Sequence, residues 1–76
     1  MKELVEFIAK KLVEHPEDVQ VRCIDAEDGQ HYELRVHAED MGRIIGKQGR
    51  TINAIRTLAG LLAAKHEMRA SVELVE

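Results

Sequence analysis

The chain is poor in the residues that mark several protein classes. It holds one cysteine, one proline, no tryptophan, and only Phe7 and Tyr32 as aromatic residues. A lone Cys23 permits no intramolecular disulfide, whereas small secreted domains are held by several bridges. Cys23 alternates with Val19 and Val21 in Val19-Gln20-Val21-Arg22-Cys23-Ile24, so an inert core thiol is expected. Long apolar runs are also missing. The longest stretch without a charge lies between Arg56 and Lys65, far short of the ~20 residues that a bilayer span requires. Met1-Lys2-Glu3-Leu4 brings in an acid at once and leads to no small-residue cleavage site, so no secretory signal is read and a cytoplasmic location is expected. At 76 residues there is room for a single domain spanning 1–76. A core this small buries only ~60% of the unfolded surface, which argues against a deep, lidded substrate cleft.

What the sequence does contain is an uneven charge distribution. The net charge is −3, but Arg43, Lys47, Arg50, Arg56 and Lys65 lie between Met41 and His66 with no acid among them. The remainder holds six bases and all fourteen acids, a net of −8. One segment is therefore a basic island in an acidic protein, although helices normally intersperse both signs.

Leu4, Val5, Ile8 and Leu12, broadened by Phe7 and Val13, give an amphipathic helix from Lys2 to His15 that Pro16 ends. A strand is expected over Val19–Asp25. Asp28-Gly29 signals a hairpin into a second strand, His31–His37, with Tyr32, Leu34 and Val36 on one face and His31, Glu33, Arg35 and His37 on the other. A short helix over Asp40–Ile45 runs into Gly46, with Glu39 and Asp40 as acids at its start. After Gly49 a longer helix reaches Lys65 or His66, with Ile52, Ile55, Ala59, Leu62 and Ala63 on one face and Ala54, Leu58 and Leu61 on another. The second face either packs on the first helix or forms a dimer seam. Arg69–Val75 ends the chain as a third strand, so the order is α-β-β-α-α-β.

The informative segment is Arg43-Ile44-Ile45-Gly46-Lys47-Gln48-Gly49-Arg50-Thr51-Ile52, a Gly-x-x-Gly turn between two helices. Two glycines let the backbone turn sharply and admit an approaching chain. The following helix adds unpaired amides, and Lys47 and Arg50 add full charges, all of which suit phosphate. A P-loop is excluded, because Gly42 and Gly46 are separated by three residues instead of four and Gln48 stands where the metal-binding hydroxyl belongs. A dinucleotide fingerprint is excluded as well, because no Gly-x-Gly occurs.

Ile44 to Ile52 resembles the signature of the KH domain, Ile-Ile-Gly-x-x-Gly-x-x-Ile. With the element order, the whole chain is similar to the prokaryotic type II arrangement and to the small bacterial single-KH proteins of the KhpA family. The resemblance implies an α+β fold of a three-stranded sheet packed on three helices. It also implies that Gly46, Lys47, Gln48 and Gly49 clamp the backbone of about four unpaired nucleotides of single-stranded RNA. Arg50 would add a phosphate contact, Gly42, Arg43 and Ile45 would wall the base groove, and Asn53 and Arg56 would reach its rim. Self-association as a homodimer, pairing with a KhpB (Jag-type) KH protein, a chaperone-like part in post-transcriptional control, and a link to cell elongation are further implications. Base stacking on aromatics is not the main mechanism, because Phe7 and Tyr32 both fall on expected core faces. Two to four phosphate contacts give a dissociation constant on the order of micromolar or weaker.

No nucleophile, base and orienting group converge in the sequence, so neither an enzyme, a cofactor nor a metal site is expected. His31 and His37 share a strand face but are ~20 Å apart at strand rise, too far for one metal. His15 and His66 read as helix-end residues. The rival reading is a protein-interaction or dimerisation module in which RNA binding is weak or incidental. It rests on the negative net charge and on the Ala54, Leu58 and Leu61 face.

Overall fold

The computed structural model describes residues 1–75. The first helix, α1 (Lys2–Leu12), sinks Val5 and Ala9 into the core. It stops three residues short of His15. Val13 is extended (φ −98°, ψ 162°), and the next two amides, of Glu14 and His15, are taken by the Asp40 carboxylate at 3.1 and 3.0 Å. Pro16 then opens a 3₁₀ turn, Pro16–Asp18, at a position where its missing amide is not needed.

Strands β1 (Gln20–Ala26) and β2 (Gly29–Arg35) pair antiparallel, and β3 (Ala70–Val75) adds parallel to β2, which becomes the central strand. Ala26 pairs with Gly29, so the turn residues are Glu27 and Asp28, one position ahead of the Asp-Gly signal. The connection from β2 to β3 carries a 3₁₀ turn (Ala38–Asp40), the short helix α2 (Met41–Ile45) and the long helix α3 (Arg50–Lys65). The observed order is α-β-β-α-α-β, with the three-stranded sheet backed by three helices as expected.

The period-2 reading of β2 holds for Tyr32 and Leu34, which are buried, while Val36 and His37 fall beyond the strand's end at Arg35 and Val36 is half-buried; Leu34 lies opposite Val21 on one side and Leu74 on the other. They meet Val5 and Ala9 of α1, Ile44 of α2, and Ile52, Ile55 and Ala59 of α3 in one continuous core. Burial pushes the Tyr32 phenol up to about 12. Its hydroxyl donates to Gln30 Oε1 at 2.6 Å.

Three expectations about the core are corrected. Cys23 is exposed, although it pairs with the buried Tyr32, because β1 is an edge strand whose only buried residue is Val21. Phe7 is 60% exposed: it lies about 200° around the helix from both Val5 and Ala9, and Lys11 sits over its ring at 5.4 Å. Leu62 falls at the margin of the α3 stripe and stays 36% exposed. On the other face of α3, Leu58 and Leu61 are 47% and 64% exposed, so packing of that face on α1 is not realised.

Leu34 is fully buried at the centre of the central strand. Leu34→Ala is expected to cost about 2–5 kcal/mol, which for a domain of this size lowers Tm by roughly 10–30 °C. Thermal unfolding followed by circular dichroism checks it, and a loss of only a few degrees would contradict the placement.

Candidate nucleic-acid interface

α2 ends because Gly46 takes φ 75°, ψ 174° while its amide still bonds the Gly42 carbonyl at 2.9 Å. Only glycine occupies that region without strain. A Cβ at Gly46 would also collide with the Thr51 hydroxyl at the start of α3. Gln48 follows at φ 58°, ψ 26° and Gly49 at φ 75°, ψ 13°, so two successive residues are left-handed, and the Gly49 amide closes the turn on the Gly46 carbonyl at 3.1 Å. The loop is thereby folded back on itself with Lys47 and Gln48 at its exposed tip. Gly49 caps α3 with no side-chain hydrogen bond, so the first amides of that helix carry its partial positive charge without a side-chain acceptor at the cap.

Beside the loop lies a groove of about 600 Å³ lined by Val36, Ala38, Met41 and Ile45. Met41 and Ile45 are one helical turn apart on α2 and so share a face. Ile44, on the other side of α2, is fully buried and fastens the helix to the core. The groove is aliphatic and shallow, with Ile45 40% exposed at its edge.

The ten residues singled out from the sequence fall into three groups. Gly46, Lys47, Gln48, Gly49 and Arg50 form the loop and the first residue of α3, and among the described residues Lys47 and Arg50 make no ion pair. Ile45 lines the groove, whereas Gly42, on the same short helix α2, is not among its lining residues, and nothing stands within 4 Å of where a Gly42 Cβ would be. The rest are engaged elsewhere. Arg43 Nη2 donates to Glu14 Oε1 at 2.7 Å, while its Nε lies 3.7 Å from Asp40 Oδ1. The Glu14 pair is exposed at both ends and worth only about 0–1 kcal/mol, so it leaves Arg43 free to exchange partners. Arg56 Nε donates to the Val72 carbonyl at 3.0 Å and its Nη1 to Asn53 Oδ1 at 3.4 Å, tying α3 to β3.

Val36, Ala38 and Met41 belong to the groove but were not singled out from the sequence. The signal for Met41 was its i, i+4 relation to Ile45. The structure also brings His15, His37 and Glu39 together, with one ligand-type atom of each within 4.8 Å of the others. No local pattern marks that cluster, because His15 is 22 positions from His37.

A three-stranded sheet with β2 central, backed by three helices and carrying a Gly-x-x-Gly turn between α2 and α3, defines a KH domain. Comparison with known proteins narrows this. The family described as KhpA/KhpB, KH domain, matches residues 2–74, and the chain belongs to that family. A protein of Clostridium perfringens named RNA-binding protein KhpA is 51% identical over 75 residues, covering 99% of this chain and all of the relative. One of the same name from Halalkalibacterium halodurans is 46% identical over the full length of both chains. Among solved structures, Aquifex aeolicus Era bound to GDP and aluminium fluoride aligns with a TM-score of 0.69 at 22% identity, covering 96% of this chain and 28% of the other. That likeness shows the fold.

The two loop glycines should respond differently to a methyl group. Gly49→Ala meets only the Asn53 amide, at 3.6 Å, and bears the left-handed penalty of about 1–2 kcal/mol. Gly46→Ala adds a collision with Thr51 to a glycine-only conformation, so it should cost at least about twice as much. Urea unfolding of both variants checks the ranking, and equal losses would contradict this loop geometry.

Proposed function

We propose that the chain is a non-catalytic, cytoplasmic protein that binds single-stranded RNA, with the Gly46-Lys47-Gln48-Gly49 loop holding the sugar-phosphate backbone and the adjoining groove receiving bases. The observation that carries this reading is the loop: a glycine-built turn with an exposed cationic tip, set between the uncapped start of α3 and an aliphatic groove. Backbone amides and the α3 dipole favour phosphate, and Lys47 and Arg50 supply charges that no neighbouring acid neutralises. Arg43, released from Glu14, can add a third. The relatives' shared name, RNA-binding protein KhpA, supports the assignment.

The groove has no aromatic ring on which to stack a base. Base contacts there are van der Waals contacts with aliphatic side chains, so affinity comes mainly from phosphate neutralisation and sequence selectivity is low. The groove and loop span only a short single strand, and the acidic remainder of the surface repels extended duplex. RNA remodelling in post-transcriptional control, with its link to cell elongation, is the role that weak and reversible binding of this kind suits.

A second element of the proposal is a seam for self-association, or for pairing with a KhpB-type partner, on the outer face of α3. Ala54, Leu58 and Leu61 are exposed there, and Leu62 and Met68 continue the apolar surface at 36% and 44% exposure. Arg50, Ala54, Leu58 and Leu61 are spaced i, i+4, i+8 and i+11 along α3, so the seam runs up the same side of the helix that begins at the loop.

Fluorescence anisotropy with a short degenerate single-stranded RNA tests the first element. The chain should bind at about micromolar concentration or weaker, with a log–log salt slope of roughly −1.4 to −2.8 for two to four phosphates. The double variant Lys47→Asp, Gln48→Asp should lose at least about ten-fold in affinity with an unchanged melting curve; unchanged affinity would refute the loop as the clamp. Sedimentation equilibrium tests the second element: the parent should show a concentration-dependent dimer and Leu61→Glu a monomer. A dimer that survives Leu61→Glu would place the seam elsewhere.

A further inference from the structure

We infer that His15, His37 and Glu39 form a binding site for a zinc-class divalent transition metal, on the side of the domain where the loop after α1 meets the entry to α2. The three side chains come from segments 22 positions apart and are held together by the backbone. Asp40 accepts the amides of Glu14 and His15 at 3.1 and 3.0 Å, which fastens the His15 segment to the residue that follows Glu39. Both imidazoles are about two-thirds buried, and Glu39 is exposed.

The spacing fits tetrahedral coordination. Glu39 Oε1 lies 3.5 Å from His15 Nε2 and 3.7 Å from His37 Nδ1. Ligand atoms bound at ~2.0–2.1 Å around a tetrahedral zinc are ~3.3–3.4 Å apart, so the two edges to Glu39 are within a few tenths of an ångström of that spacing, while the His15–His37 edge lies within 4.8 Å. The exposed Glu39 side chain closes its own two edges, and the edge between the imidazoles closes by rotation of a ring. The two rings stack with centroids 4.1 Å apart and planes 21° from parallel, so one ring must tilt further for both lone pairs to converge.

The His37 tautomer is preset for this. The Glu39 amide donates to His37 Nδ1 at 3.0 Å, so that nitrogen carries no proton and its lone pair faces Glu39. A cation at Nδ1 displaces that one hydrogen bond. On His15 each ring nitrogen faces a carboxylate, Nδ1 at 3.6 Å from Glu17 Oε1 and Nε2 at 3.5 Å from Glu39 Oε1, so a cation on Nε2 puts the ring proton on Nδ1, towards Glu17. A carboxylate behind the distal nitrogen of a ligating histidine is the usual second layer of a zinc site. Two imidazoles with one carboxylate select a borderline cation such as Zn²⁺ over Mg²⁺ or Ca²⁺, which prefer all-oxygen cages. Three protein ligands leave the fourth position open to solvent.

The test uses the untagged full chain with Cys23→Ser, which removes an exposed thiol that also binds zinc. Imidazole nitrogen NMR during titration with zinc chloride should show one equivalent shifting the rings of His15 and His37 and leaving those of His31 and His66 in place. At ten times the dissociation constant, Tm should rise by roughly 5 °C or more. His37→Gln and Glu39→Gln should each weaken zinc at least about ten-fold, and Glu17→Gln by roughly ten-fold. Glu39 is 75% exposed in its side chain, so Glu39→Gln should keep the parent melting curve and isolates the loss of a ligand from a loss of fold. Shifts spread evenly over all four histidines, or the same zinc affinity in His37→Gln and Glu39→Gln as in the parent, would overturn the site.

Discussion

The Asp40 carboxylate is 1% exposed, yet it is bonded to the two backbone amides that follow α1, those of Glu14 and His15. Burial alone would push its pKa up. The two amides, with His15 and Arg43 nearby, outweigh that and hold it below the ordinary carboxylate value, so the group stays ionised where it is buried. A charge so placed fixes what it touches, because losing either partner leaves a buried ion unsatisfied. It sets where α1 ends, how the chain enters α2, and therefore the position of Met41 and Ile45 along the groove and of Gly46 at the end of α2. It also seats His15 against His37.

From that anchor the electrostatics of the interface follow. The groove is aliphatic and the loop beside it is cationic, while the fourteen acids lie outside the segment from Met41 to His66. In the proposed mode a single strand lays its phosphates against Lys47, Arg50 and the amides that begin α3, and turns its bases into the groove. The protein's negative total charge does not oppose this, because exposed charges more than about 10 Å apart are largely screened at ~0.1 M salt. In that mode the local sign governs binding, and the overall sign limits non-specific coating.

The parts of the structure legible in the sequence are those set by local rules. Alternation in β2 placed Tyr32 and Leu34 inside, and the glycine spacing with its isoleucine flanks located the turn and the helices on either side. What was not legible depends on distant contacts. α1 ends at Leu12 and not at the proline, because Asp40 captures amides 25 and 26 positions away. Cys23 has the right alternation for the core but sits on an edge strand that the helices cover only near its start. By spacing Phe7 broadens the apolar stripe of α1, whereas burial of Val5 and Ala9 leaves it on the opposite side of the helix. The pairing of Arg43 with Glu14 and the stacking of His15 on His37 likewise arise only once the chain has closed on itself.

The most direct test of the central claim is an amide-shift NMR titration of the isotope-labelled chain with short single-stranded RNA. The account predicts a contiguous set of shifts over the Gly46 to Arg50 loop and the start of α3, together with Val36, Ala38, Met41 and Ile45 of the groove. Shifts confined to the outer face of α3 around Leu58 and Leu61, or to the uncovered face of the sheet, would contradict it.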